Sequence, residues 1–313
     1  MDRLVSGATG RASGRGTGRA LRHEFPLLLA VVFLGTNPVA VKYAVRAVPP
    51  LPFVALRFTV AGLLLLALLL LLRHSAGWPD WRDLTRMAGV GALGVGLNNA
   101  LFTTGVELTA ASDTALIYSA VPVWGMLLGA ALGWERPTPG NVVGVVLALA
   151  GVVLIVRGDL GGGDGSLGGD LLVACATFCW ASYAVLSLPL LRRYSPLLVA
   201  AYTMFFGGLA VLPVALPGFV RTDWPAVGPG TWAAFAYCTL CVAAFGFSAW
   251  QTSISRVGAN RVLVYQYLIT FVGVTAGTVM LGEGLARGEL VGGGVLLCGV
   301  YLARRRPAGT DLR

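Results

Sequence analysis

The sequence predicts an all-α integral membrane protein with ten transmembrane helices, folded as two inverted five-helix repeats. Three observations carry this. Hydrophobic residues form 56% of the chain and charged residues 12%, against roughly 25% charged in a soluble domain. So few charges cannot cover a water-facing surface, so most of the chain belongs in lipid. The chain also matches itself. Moving residues 95–157 forward by 148 lays them on residues 243–305 without a gap. Thr104, Ala111, Gly125, Gly129, Glu135, Gly140, Gly144 and Gly151 then meet identical residues at Thr252, Ala259, Gly273, Gly277, Glu283, Gly288, Gly292 and Gly299. Finally, the arginines are placed asymmetrically between alternate loops.

A span needs about 20 mostly apolar residues. Ten runs qualify in order: 26–45, 51–72, 85–108, 113–133, 140–157, 169–190, 196–217, 231–254, 261–281 and 288–303. The first follows an Arg-rich stretch, and the second ends at Arg73. The third follows Arg82, and the fourth ends a long apolar run on Glu135. The fifth restarts with glycine and ends on Arg157. The sixth opens at Gly169-Asp170, the seventh starts beyond Arg192-Arg193, and the eighth ends before Arg256. The ninth repeats the fourth and ends at Glu283. The tenth repeats the fifth, is short, and leans on Gly292–Gly294. The runs are too long for strands and lack alternation. Backbone groups in lipid must pair within their own segment, so helices follow.

Five domains result: a disordered cytoplasmic tail over 1–25, a first five-helix repeat over 26–157, a Gly-rich external linker over 158–168, a second repeat over 169–305, and a cytoplasmic tail over 306–313. With the N-terminus inside, seventeen arginines face inward and four outward. This bias places both termini in the cytoplasm of a multi-pass plasma-membrane protein. Five spans per repeat is an odd number, so the second copy enters from the opposite side. Inverted repeats of this kind serve carriers that exchange outward and inward states.

The net charge of +9 is spread over short loops, which argues for orientation rather than nucleic acid. The five cysteines all fall in apolar runs and read as core residues. Cys238-x-x-Cys241 has no second pair, and His23 and His74 lie near membrane ends, so no metal and no cofactor is expected. The Gly-rich patterns follow no strand, so a nucleotide loop is rejected.

Phe33–Lys42 reads FLGTNPVAVK, and Pro49–Phe58 reads PPLPFVALRF. The fourth span ends in Gly133-Trp-Glu-Arg, and the ninth ends in Leu281-Gly-Glu. Asp170-Leu-Leu and Phe178-Cys-Trp-Ala stand at the start of the second copy. In this order, and repeated, these residues resemble the EamA-type branch of the drug/metabolite transporter superfamily, over residues 26–305. The resemblance implies ten helices and an alternating-access carrier, often exporting amino acids or other small metabolites. It also implies a cavity among helices 1–4 and 6–9. The halves differ at Pro122 against Thr270, and at Arg57 against Tyr202 or Thr203, so a lopsided cavity is expected.

The substrate-binding candidates follow. Lys42 and Arg57 are the cations inside spans, where charge is costly and usually functional. They would attract a carboxylate on the solute, or else snorkel to the outer interface. Asn37 and Asn98 lie near mid-membrane and would bond a solute or bridge helices. Trp124, Trp180, Tyr183, Trp250 and Gln266 would line the cavity or pack the core. Trp180 and Tyr183, three apart, share a helix face. Pro38 would kink the first helix or free a carbonyl. Pro122 would shape the fourth. Glu135 and Glu283 would cap the helix that follows each. Gly129 and Gly277 belong to Gly-x-x-x-Gly series that let helices approach closely.

No acid lies in the middle third of any span, which disfavours a drug efflux carrier using a buried carboxylate. No nucleophile–base pair points to an enzyme. The expected partners are a small solute carrying a carboxylate and membrane lipid, with a homodimer left open. The favoured reading is a metabolite exporter. The alternatives are an intramembrane enzyme on a lipid-linked group and a regulatory membrane protein.

Overall fold

The computed structural model describes residues 14–72, 77, 79–133, 138–158, 166–284 and 287–304. Among these residues the secondary structure is helical throughout, without strands. Glu135 and residues 159–165 of the linker lie outside the described residues.

Helix α1 (Gly14–Ala44) is followed by α2 (Pro50–Leu71), α3 (Trp81–Gly91), a first π segment (Ala92–Leu97) and α4 (Asn98–Leu108). Next come α5 (Ala111–Tyr118), α6 (Val121–Ala131), α7 (Pro139–Gly158), α8 (Leu167–Leu186) and the short α9 (Leu188–Leu191). Then follow α10 (Pro196–Arg221), α11 (Pro229–Tyr237), a second π segment (Cys238–Phe247) and α12 (Ser248–Val257). The chain ends with α13 (Ala259–Val262), a 3₁₀ turn, α14 (Gln266–Leu281) and α15 (Arg287–Arg304).

Six helical stretches among the described residues are long and apolar enough to cross a membrane: Phe25–Ala44, Pro50–Leu71, Ala111–Ala131, Leu167–Leu191, Pro196–Arg221 and Pro229–Arg256. Three shorter apolar helices, Pro139–Leu154, Gln266–Leu281 and Leu290–Leu302, accompany them. The chain is thus a multi-pass helical membrane protein. Large apolar side chains such as Leu71, Val220, Val279 and Phe271 point outward and are mostly exposed, as a lipid-facing surface requires.

Two sequence expectations change. The tail over 1–25 is helical from Gly14. Ala20, Leu21 and Arg22 are good helix formers, so the apolar helix extends backwards through them. The cysteines are not uniformly core residues: Cys179 and Cys238 are buried, but Cys175 and Cys298 are exposed, because they fall on outward faces of apolar helices.

The proposed fourth span is broken. α5 ends through tight turns, Ser119 N–H to Leu116 O and Ala120 N–H to Ile117 O. Pro122 then occupies the first turn of α6, where its missing N–H costs nothing. The ninth span is broken too, in the 3₁₀ turn Leu263–Tyr265, a little before residues 267–268, where the shift places the α5–α6 break.

Glycine contacts recur under the 148-residue shift. A Cβ on Gly273 would sit 2.7 Å from the Ala115 Cβ, and one on Gly125 would sit 2.7 Å from Leu263 Cδ1. Gly299 meets the Ala148 backbone, and Gly151 meets the Leu296 backbone. In each case the shift turns one contact into the other, the reciprocity expected across a two-fold axis. The first π segment, moved by 148, also falls inside the second.

Candidate functional site

A small cavity of about 60 Å³ is lined by residues from both halves of the chain. Its wall takes Leu34, Gly35, Asn37 and Pro38 from α1, and Asn98, Asn99 and Phe102 from α4. α5 adds Thr114, Ala115 and Tyr118. The second half contributes Trp180, Phe247, Gln266 and Ile269. The first half therefore dominates. No residue of α2, α7, α10 or α15 belongs to this wall.

Of the residues singled out in the sequence, Asn37, Pro38, Asn98, Trp180 and Gln266 come together here. Asn98 is held by protein. Its Nδ2 donates to Ala176 O at 2.7 Å and to the Tyr118 hydroxyl at 3.0 Å. Its Oδ1 accepts from Asn99 Nδ2 at 3.1 Å, and that same amide donates to Val95 O at 2.9 Å in the first π segment. Asn98 thus ties α4 to α5 and α8. Asn37 differs: its Oδ1 is buried and has no hydrogen-bond partner among the described residues.

Trp180 carries the aromatic side of the cavity. It stacks on Tyr183 at 5.6 Å, meets Phe247 edge-on at 4.9 Å and leans on Trp250 at 5.9 Å. Tyr183 and Trp250 are fully buried behind it, and the Tyr183 hydroxyl lies 3.0 Å from Thr203 Oγ1. Trp124 also stands away from the cavity. Its indole N–H donates to Thr177 Oγ1 at 2.9 Å and its ring packs on Phe178, joining α6 to α8.

Arg57 has no solvent exposure. Its Nε donates to Cys238 O at 2.9 Å, at the start of the second π segment. Its guanidinium carbon lies 4.8 Å above the Phe58 ring. Nη1 and Nη2 have no hydrogen-bond partner among the described residues. Burying an unpaired ion costs several kcal/mol even after relaxation. A hydrogen bond from a charged donor returns about 1.5–3 kcal/mol, and a desolvated cation–π contact about 2 kcal/mol. The offset is partial, and four N–H donors remain unspent.

Lys42 is paired rather than snorkelling. Its Nζ lies 2.8 Å from Glu283 Oε1 and donates to Thr109 O at 2.9 Å. Glu283 does cap a helix, but not the one that follows it. Its carboxylate accepts from Ala111 N–H and Ser112 N–H, both at 2.9 Å, at the start of α5. The correction has a plain cause. Gly282 turns the chain back at φ +70° after α14, which aims Glu283 at the nearest free helix N-terminus. Gly277 leaves room for it: a Cβ there would sit 2.8 Å from Glu283 Oε2. Burial raises the Glu283 carboxyl, but the Lys42 hydrogen bond and the two amides outweigh it and hold the group below its ordinary pKa.

A second polar tie lies at the other end of the continuous helical run Trp81–Leu108. Asp83 receives Arg86 at 2.9 Å, Arg193 at 3.0 Å and the Tyr194 hydroxyl at 2.9 Å. Desolvation lifts the Asp83 carboxyl, yet the hydrogen bonds from Tyr194, Arg193 and Arg86 together hold it below its ordinary pKa. Both ties join the first half of the chain to the second.

Sequence reading missed Asn99, Tyr118, Phe102, Thr114 and Phe247 in the cavity wall. Asn99 was signalled by its neighbour Asn98. The others gave no signal, since an apolar or hydroxyl residue in a span looks the same on any face.

Similarity to known proteins agrees with this architecture. The EamA-like transporter family matches residues 23–157 and again residues 167–305. A protein of Streptantibioticus cattleyicolor, named a probable terminal-alkyne amino-acid exporter, is 31% identical over 74% of this chain and 76% of its own. An uncharacterized transporter of Archaeoglobus fulgidus is 27% identical over 90% of this chain and 98% of its own. A probable amino-acid metabolite efflux pump of Salmonella typhimurium is 24% identical over 89% and 93%. One solved crystal structure superposes with a TM-score of 0.65 at 23% identity, covering 90% of this chain and 96% of the other, and so shares the fold. With both segments matched, and with relatives named for transport, the chain belongs to the EamA-like transporter family.

Proposed function

We propose that this protein is an alternating-access exporter of small metabolites, amino acids foremost, in the plasma membrane. In this reading ten helices form two inverted repeats, and both termini are cytoplasmic. The reciprocal glycine contacts and the matching π segments support the repeat, and the arginine bias supports the orientation. One observation carries the carrier reading: a polar-spotted apolar cavity sits at the meeting of the two halves, and charged ties join those halves at both ends. Breaking one tie while keeping the other is what exposure of a central site to alternate sides requires. The relatives named for amino-acid export support this choice of solute class.

The test is transport itself. Culture media of overexpressing and deletion strains are compared for small metabolites, and each candidate is then followed by counterflow in proteoliposomes. At least one amino acid or close derivative is expected to accumulate outside the overexpressing cells and to exchange in vesicles. Unchanged media together with empty counterflow for every amino acid would overturn the reading.

A further inference from the structure

Resting on the carrier reading above, we propose that Arg57 reads the charge of the solute. Its Nη1 and Nη2 take a carboxylate, and Asn37 Oδ1 takes a donor on the same molecule. The preferred cargo is a zwitterionic amino acid with an apolar side chain.

Four observations lead there. Arg57 is fully buried and its two terminal nitrogens have no acceptor among the described residues. An arginine stays charged at any working pH, so the cost cannot be relieved by losing a proton. Its Nε is fixed on Cys238 O, which leaves the Nη1–Nη2 end of the planar fork for a two-oxygen partner such as a carboxylate. Lys42, the other cation of the span interiors, is already committed to Glu283.

Arg57 is connected to the cavity wall through its neighbours. Thr36 Oγ1 and the Tyr237 hydroxyl are 2.5 Å apart. Asn37 follows the first of these residues, and Cys238, the acceptor of Arg57, follows the second. One interhelical hydrogen bond thus ties the chain beside Asn37 to the chain beside Cys238. Two rings link the guanidinium to the cavity wall. Phe58 lies under Arg57, and Phe247, 5.5 Å from Phe58, belongs to the cavity wall. Cys238 and Phe247 are the first and last residues of one π segment. A shift of that segment moves the wall and the Arg57 acceptor together, so recognition belongs to a conformation in which Phe247 has swung aside. The remaining wall is apolar at Leu34, Phe102, Trp180 and Ile269, which suits an aliphatic side chain.

The probes are L-leucine, L-leucinamide and chloride. Leucinamide keeps the ammonium and the side chain but loses the carboxylate. Thermal melting of the purified full-length protein in detergent measures binding, and counterflow in proteoliposomes measures transport. Leucine is expected to raise the melting temperature of the parent, with leucinamide and chloride at least about tenfold weaker. R57Q should lose the leucine response. R57K should keep a weakened one, because lysine keeps the charge and lacks the fork.

Equal responses to leucine and leucinamide in the parent overturn the proposal, and that comparison needs no variant to fold. A leucine response that persists in R57Q overturns it too. A response to chloride alone means a resident inorganic anion, and also overturns it. Leucine binding that depends on Arg57 without any counterflow keeps the Arg57 site and removes the carrier reading. Counterflow of leucine and leucinamide alike keeps the carrier and removes the role of Arg57.

Discussion

Asn37 and Asn98 look alike in the sequence, each an amide near the middle of an apolar run, and the structure uses them differently. Asn98 spends its hydrogen bonds on Ala176, Tyr118 and Asn99, while Asn37 keeps an acceptor unspent at the cavity. Nothing local in the sequence separates them, because the partners of Asn98 are set by which helices pack together. The same holds for Glu283. Its position at a helix end was legible, but its partner Lys42 lies 241 residues away along the chain. That pairing makes a prediction. The Glu283 carboxyl is held below its ordinary pKa, so its stabilising effect is present above the unfolded value, roughly 4.3, and is lost as pH falls through the lower folded value. Glu283→Gln should therefore lower the melting temperature most at neutral pH, and the gap to the parent should close on acidification below about 4.3. A gap that is constant from neutral to acid pH would contradict the ion pair as its source.

At the scale of elements, the apolar runs gave helix positions well, since length and composition decide them. They did not give the breaks. The π segments widen the helix just where Asn99 reaches Val95 O and Arg57 reaches Cys238 O, and π bulges cluster at functional places. Their only local hint is glycine at Gly94, Gly96 and Gly246. The Gly-x-x-x-Gly series divides: Gly125, Gly273 and Gly277 face Leu263, Ala115 and Ser112, whereas Gly133 has nothing within 4 Å, and glycines outside the series divide in the same way. Gly299 of α15 meets the Ala148 backbone, whereas Gly294 has nothing within 4 Å. Gly299→Ala should destabilise by about 1–3 kcal/mol, as overpacking does. Gly294→Ala should be neutral or add up to about 1 kcal/mol from helix propensity. Reversible unfolding in mixed micelles compares the two, and equal effects would sink the distinction between packed and open glycines.

For the whole molecule, the self-match in the sequence agrees with a family that matches residues 23–157 and again residues 167–305. The cavity was half legible: five of the residues singled out line its wall, while Tyr183, Trp250 and Trp124 support it from behind. Depth in a span was readable, but the face of the helix was not, because both lipid and core favour apolar neighbours. A reporter inserted within residues 159–165 should read external, and one fused after Arg313 should read cytoplasmic. A cytoplasmic signal from the first would overturn either the span count or the arginine-based orientation.

The two π segments leave each half of the chain with a soft place at a related position. Moved by 148 residues, Ala92–Leu97 falls inside Cys238–Phe247. The first runs directly into Asn98 and the second ends on Phe247, and both of these residues stand in the cavity wall. A helix wound this way departs from its favoured pitch, so the wall of the cavity hangs on two irregular stretches rather than on rigid rods.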